Sequence, residues 1–408
     1  MEVHFHEVYF IPLSGQSNVY GLATLKTKDM NRVVVSHVRG EKSPLCVEFQ
    51  RGCLRPTSNA VNFSYIPTDA EIVSMDIVTK EPSSVVVGIT LIKRSTKEAF
   101  FNLYGIHSNH LSSVFKWENI IDDWQTMNLS FTPFQLLHTQ ILVDNHWEAV
   151  FLLSGDDLCV HMFRETADDN VCYKEASAAE WFPELQGLPS AATHIDVQVE
   201  EALQHRRTAV GCQSGFLKCT LVSLPTEIIS DWSSKMLDGP ITSVKFFTSA
   251  SNPAAAQSRK VADAVHLLVT SAVEPAIVFI DVFKNGFTCY TTLPNSHLYD
   301  CVLCATIADV NWDGRNELVL GTYGKELLVY QLDATVTGTM GIRLLWQRSF
   351  AHPIHCLWYG DLTGDGLSEM VVVTMGGIHV LQHDLEKAAA LCVSRLEAHF
   401  SKESVDTV

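Results

Sequence analysis

One unit recurs about seven times along the chain: a short β-branched run ending in a small residue, then a turn, then a second strand. It reads YGLATL before NRVVVSHV (20–25, 31–38), SVVVGITLI before FFNLYGI (84–92, 100–106) and AVFLLSGDDLCVHMF (149–163). It returns as TAVGCQSGFLKCTLV (208–222), VHLLVTSAVEPAIVFIDV (265–282), NELVLGTYGKELLVYQL (316–332) and SEMVVVTMGGIHVLQHDL (368–385). A run that is apolar on both alternating faces is a strand buried on both sides, and the turn makes a hairpin of it. With the small residue as a marker (Ala23, Gly88, Ser154, Gly211, Thr270, Gly321, Thr374), the steps are 65, 66, 57, 59, 51 and 53 residues. Each step holds four strands with their loops.

A regular array of four-stranded units closes most simply by radial repetition, which leaves only short sheet edges. The reading is an all-β fold, a seven-bladed β-propeller over residues 1–384 with a C-terminal helix. Two stacked β-sandwiches are the other arrangement such strands allow. The longer steps require insertions, and two stretches without strand alternation supply them, 107–128 and 249–263. Beyond the last strand, Leu385, Ala389, Cys392, Leu396 and Phe400 recur at spacings of three and four. Residues 385–400 therefore form an amphipathic helix whose apolar stripe must meet the propeller or a partner, and 401–408 form a flexible tail.

Of the 408 residues, 47% are hydrophobic and 18% charged, enough apolar side chain for a large core. The formal charge of −17 comes with scattered Lys and Arg, and the one adjacent pair in an exposed-looking stretch is Arg206-Arg207. Without a basic stripe, nucleic acid is excluded as a partner. No apolar run reaches membrane-spanning length, and the start MEVHFHEVYFIPLSG lacks a signal peptide's order of basic then apolar residues. Eleven scattered cysteines, several inside apolar strands, suit reduced thiols. These features describe a cytoplasmic protein with no direct membrane insertion.

The most specific local signal is a pair of nonapeptides, DVNWDGRNE (309–317) and DLTGDGLSE (361–369), that align without gaps and lead straight into strands. Oxygens at positions one, three, five and nine, with Gly at six, can turn the backbone around a hard cation such as calcium. Those positions hold Asp309, Asn311, Asp313 and Glu317 in the first loop and Asp361, Thr363, Asp365 and Glu369 in the second. The loops resemble the FG-GAP loops of integrin α-chain propellers, with Asn311 and Thr363 departing at the third position. The same side chains also make Asx-type turns that cap local backbone, with no ion.

Catalytic patterns are missing. Cys301 and Cys304 have CxxC spacing but lie in the apolar run CVLCATI with no second pair, His352 and His355 lack an acidic companion, and Ser154-Gly155-Asp156-Asp157 reads as a hairpin turn rather than a nucleophile elbow. The chain is not expected to be an enzyme or to need a cofactor, calcium aside.

In order along residues 16–396, QSNVYGLA, YIPTDAEIVSMD, VVVGIT, FTPFQLLH, VFLLSGDD, FPEL, VGCQSG, LDGPI, VEPAIV, GTYGKELLVY, LLWQRSF and DLTGDG resemble the kaptin family. The resemblance implies a scaffold propeller that pairs with another FG-GAP-repeat propeller and further subunits of the KICSTOR assembly. That assembly anchors the GATOR complex at the lysosomal surface and restrains target-of-rapamycin signalling when nutrients are scarce. The family is also described as actin-binding, which implies a place in actin-rich cell projections. The first fifteen residues and the short acidic tail do not match the family.

Overall fold

The β-branched runs form the second strands of four-stranded antiparallel sheets, seven in all. The computed structural model describes residues 3–26, 31–38, 44–49, 56–61, 63, 66–67, 69–80, 84–106, 123–166, 172–224, 226–249, 264–334 and 340–403. The chain is a seven-bladed β-propeller with one C-terminal helix, Leu385–Glu403. Blades 1 to 6 are cut from consecutive chain, at 22–60, 70–129, 133–176, 192–236, 241–292 and 302–349. Blade 7 takes three strands from 354–383 and its outermost one from the other end, Phe5–Pro12, which pairs antiparallel with Gly377–His383. First and last strands thus close the ring.

The marker residue has a packing reason. In blades 2 to 7 the inner strand is irregular where it passes this end of the second strand, and in blades 2 and 3 a hydroxyl takes up the freed amide. Thr90 Oγ1 accepts from Ser74 N at 3.0 Å, and Ser154 Oγ accepts from Gln135 N at 3.2 Å. The next blade then presses in. A Cβ on Gly211 would lie 2.3 Å from the Cγ2 of Ile241, and one on Gly321 would lie 2.6 Å from that of Ile354, so a larger residue would push adjacent blades apart. The first marker falls one strand early: Ala23 belongs to the inner strand Leu22–Lys26, whereas the other six sit in second strands. The first step therefore overstated a blade.

Between blades, side chains stand in for the missing sheet hydrogen bonds. Gln135 joins blade 3 to blade 4 at both ends of its amide, giving Nε2 to Ile195 O (3.1 Å) and receiving Ile195 N on Oε1 (2.6 Å). Asp76 accepts the His138 amide, Asp196 accepts the Phe246 amide, and Asn18 Nδ2 donates to Ile72 O. Blade 7 reaches blade 1 through Ser17 Oγ, which lies 2.8 Å from His355 Nδ1 and donates to Thr374 O. Buried inner-edge backbone groups need such partners.

Three expectations change. The strand Asp123–Leu129 occupies the last six residues of the supposed insertion 107–128, and 107–122 lie outside the described residues, as do 250–263 of the other. The C-terminal helix runs three residues past its expected end, to Glu403, and 404–408 lie outside the described residues. Arg206, read as exposed, is fully buried. Its guanidinium meets Glu184 at 2.8 Å, donates to Trp181 O at 2.6 Å and lies 4.2 Å from the Phe182 ring centroid. The FPEL segment is thereby pinned against blade 4. Glu184, Glu227 and the Trp181 carbonyl hold its Nε and Nη2, while Nη1 is buried without a hydrogen-bond partner; a charge this desolvated is tolerable only with such pairing.

Phe5 is the anchor of the closing strand: it is 6% exposed and packs on Trp346 and on the His383 ring. Phe5→Ala is expected to lower the unfolding free energy by about 3 kcal/mol in urea titration. Val8→Ala, at the half-exposed irregular position of the same strand, should change it by less than about 0.5 kcal/mol.

Candidate functional site

Blades 6 and 7 present the two acidic loops side by side, and the C-terminal helix lies across them. Each loop is organised by its ninth residue. Glu317 is fully buried at the start of its strand, and its Oε2 accepts the amides of Val310 (2.9 Å) and Asn311 (3.3 Å). Glu369 repeats this with Leu362 (2.8 Å) and Thr363 (3.3 Å). The first residue folds the turn: Asp309 accepts from the amides of Asp313 and Gly314, and Asp361 from those of Gly364 and Gly366. Asp313 and Asp365 accept the amides two residues on, from Arg315 and Leu367. Gly314 and Gly366 have φ of +85° and +91°, the left-handed conformation that explains glycine at position six.

In the first loop, side-chain amide nitrogens donate to two of the carboxylates read as cation ligands. Asn311 Nδ2 reaches Asp313 Oδ2 (3.2 Å) and Glu317 Oε1 (2.9 Å), and Gln331 Nε2 reaches the same two oxygens at 2.7 and 3.1 Å. In the second loop the Thr363 hydroxyl donates to Glu369 Oε1 at 3.2 Å. Burial raises the Glu317 carboxyl to about 8 and the Glu369 carboxyl to about 7, although backbone amides pull both the other way. Among the described residues no three His, Cys, Asp or Glu side chains are arranged to hold a metal ion. Gln331, on the neighbouring strand, carries no signal in the nonapeptide and was missed.

The helix starts on Asp384, whose Oδ1 accepts the amides of Glu386 and Lys387 as an N-cap. It rests on the loops by a face one position away from the apolar stripe read in the sequence. Ala388 is buried, Leu391 is half-buried, and Arg395 donates to the backbone carbonyl of Trp312. Trp312, in left-handed backbone, packs its ring at a tilt on His383 with centroids 4.4 Å apart, and Tyr359 hydrogen-bonds His383 at 2.9 Å. Burial lowers His383 to about 4, so it stays neutral and serves as an acceptor. The stripe residues Leu385, Ala389, Cys392 and Leu396 are exposed, and the side chain of Phe400 lies outside the described residues. Leu385, Val393 and Leu396 each keep more than half of their surface in solvent. Cys392 and Leu396 also wall an open groove of about 460 Å³ floored by Trp312, Leu367 and Leu391.

No catalytic geometry appears among the other sequence candidates. Cys304 and Cys356 are packed on neighbouring inner strands with thiols that burial pushes up, His355 bonds Ser17, and Ser154 supports a bulge.

The sequence model for "KICSTOR complex protein kaptin" matches residues 5–393. The chain belongs to the kaptin family. The mouse (Mus musculus) kaptin, named as a KICSTOR complex protein, is 38% identical over 392 residues, covering 95% of this chain and 90% of the mouse protein. The match begins at residue 5, inside the stretch 1–15 that the motifs had placed outside the family, and the ring-closing strand is the reason to keep that stretch. Among solved structures, the β-propeller domain of Cps50 (Swd1) from Myceliophteria thermophila superposes with a TM-score of 0.50 at 10% identity, over 93% of this chain and 99% of that one. That likeness shows the propeller fold.

Asp313→Ala and Asp365→Ala are each expected to destabilise by roughly 0.5–2 kcal/mol through lost turn hydrogen bonds, and by the same amount with calcium or with chelator. Differential scanning calorimetry of wild type and both variants checks this; a wild-type melting temperature that rises with calcium through ligand linkage would overturn it.

Proposed function

We propose that this chain is a non-catalytic scaffold subunit of a KICSTOR-like assembly, holding a second FG-GAP-repeat propeller and further subunits. The observation that carries this reading is the match over residues 5–393 to a family named as a KICSTOR complex protein. The propeller supports it: the ring closes on itself, the described polar clusters are absorbed in turns and blade contacts, and the surface left over is suited to binding. In this reading the assembly recruits GATOR to the lysosomal surface and restrains target-of-rapamycin signalling under nutrient scarcity, with the chain reaching that surface from the cytoplasm through its partners. No helix among the described residues is long and apolar enough to cross a membrane. The acidic loops act in this scheme as rigid turns beneath the helix rather than as calcium sites. Actin is not favoured, since a chain of charge −17 is repelled by an acidic filament.

The partner contact we assign is the outward helix stripe, Leu385, Ala389, Cys392 and Leu396, continuing to Phe400. The helix already has a packed face, so the stripe is free for a neighbour. An apolar stripe on a helix gains by lying in a partner's groove. The double change Cys392→Asp and Leu396→Asp should abolish co-purification with the second propeller subunit from co-expressing cells, while the unfolding free energy of the lone chain moves by less than about 0.5 kcal/mol. Retained co-purification would reject the helix as the contact; loss of stability would return the stripe to the chain's own packing.

A further inference from the structure

Between the inner strands of blades 1, 4, 5, 6 and 7 lies a cavity of about 140 Å³. Tyr20, just ahead of blade 1, reaches across it: its hydroxyl donates at 2.6 Å to Thr193 O, on the inner strand of blade 4, three places away in the ring. Tyr20 is itself fixed, its amide on Asn18 Oδ1 and its carbonyl accepting from Met75 N. Of the described residues that line the cavity, Lys245 alone carries a full charge, and none is acidic.

Several polar side chains of the wall have bonding capacity to spare. Ser243 is 2% exposed, and its Oγ is buried without a hydrogen-bond partner. A group left in that state calls for a water or a ligand. The Lys245 ammonium meets Asp196 Oδ1 at 3.6 Å, too long for a hydrogen bond, and has no other partner among the described residues. The two imidazoles of the wall are set in opposite senses. His194 Nδ1 accepts from Val244 N at 3.4 Å, and burial, with the Lys245 charge beside it, holds the ring neutral, so its hydrogen lies on Nε2. At His355 the Ser17 hydroxyl gives its proton to Thr374 O, so the ring must be the donor to Ser17, through Nδ1–H. Burial keeps this ring neutral too, and its Nε2 is left as an acceptor. Neither Nε2 has a partner among the described residues.

The cavity thus offers an ammonium, an N–H and a hydroxyl as donors, and one imidazole nitrogen as acceptor. We infer that it binds one inorganic phosphate ion, with the anionic oxygens on Lys245, His194 and Ser243 and the remaining hydroxyl donating to His355 Nε2. Near neutral pH phosphate keeps a proton to give. Sulfate and carboxylates are fully ionised there and can only accept, which leaves the His355 nitrogen unmatched. Size sets the other limit. At about 30 Å³ per water the cavity takes the bulk of a five-atom ion, and it falls well short of the roughly 300 Å³ at which pockets for drug-sized ligands begin. The site shares no residue with the helix stripe and does not depend on the role assigned there.

The test is equilibrium dialysis of the full chain against radiolabelled orthophosphate near neutral pH. Uptake should saturate at one equivalent, with a Kd below about 1 mM. Lys245→Met should weaken it by about tenfold or more, and Ser243→Ala by about threefold. Ser243→Ala removes a hydroxyl without a partner, so the melting temperature of the phosphate-free chain should hold or rise. Sulfate should compete at least about tenfold more weakly than unlabelled phosphate. Lys97→Gln, in an exposed turn of blade 2, should change nothing. No saturable uptake up to about 10 mM overturns the proposal, since the cavity would then hold water alone. Undiminished uptake by both Lys245→Met and Ser243→Ala overturns it, as does competition by sulfate equal to that by phosphate. A loss with Lys97→Gln that matches the loss with Lys245→Met also overturns it, because the ion would then be held by exposed charge.

Discussion

Everything in this molecule hangs on the pairing of Phe5–Pro12 with Gly377–His383. Seven sheets arranged around an axis have no stable end: each buries its inner faces against two neighbours, so an open ring would expose the apolar faces of both terminal blades. Closing the last blade with the first strand of the chain joins two segments more than 360 residues apart and makes blade 7 the seam of the ring. The seam is well filled. Phe5, Trp346, His383, Tyr359 and Trp312 form one aromatic cluster that reaches from the closing strand to the first acidic loop, and buried His383 at its centre is held neutral. Ordering the loop, the helix above it and the strand below is therefore one event rather than three.

The acidic loops gain their meaning from this seam. Glu317 and Glu369 are buried where their strands leave the loops, and their carboxylates gather the amides of the residues before the turn. Burial raises both carboxyls, and donors from Asn311, Gln331 and Thr363 offset that strain locally. The loop carboxylates are thus engaged by backbone and side-chain donors. The first loop gives the C-terminal helix a platform, with the Trp312 carbonyl as the acceptor for Arg395.

Much of the fold was legible because propeller geometry writes itself into composition. Second strands buried on both faces have to be apolar throughout, as 150–153 and 370–373 are, and the small residue at their end is dictated by the isoleucine of the following blade at Gly211 and Gly321. What could not be read depends on distant partners. Phe5–Pro12 carries the apolar run 8–12, yet nothing local announces a mate at the far end of the chain. The charge of Arg206 suggested solvent, because its partners Glu184 and Glu227 lie at sequence distances that no motif reports. In the helix, apolar spacing picked out the face that remains in solvent. The packed face relies on a small residue, Ala388, and on a cation reaching a carbonyl, neither of which looks like a core.

The closure claim is tested most directly by amide hydrogen exchange on a chain lacking residues 1–12, read blade by blade. The account predicts that protection collapses in the strand Gly377–His383 and, through the same seam, in the loop 309–317, the helix Leu385–Glu403 and the facing strand Asn31–Val35, all at a common rate. Blade 7 and the loop keeping their protection in the shortened chain would contradict it, and would mean that the ring is held by its inner strands alone.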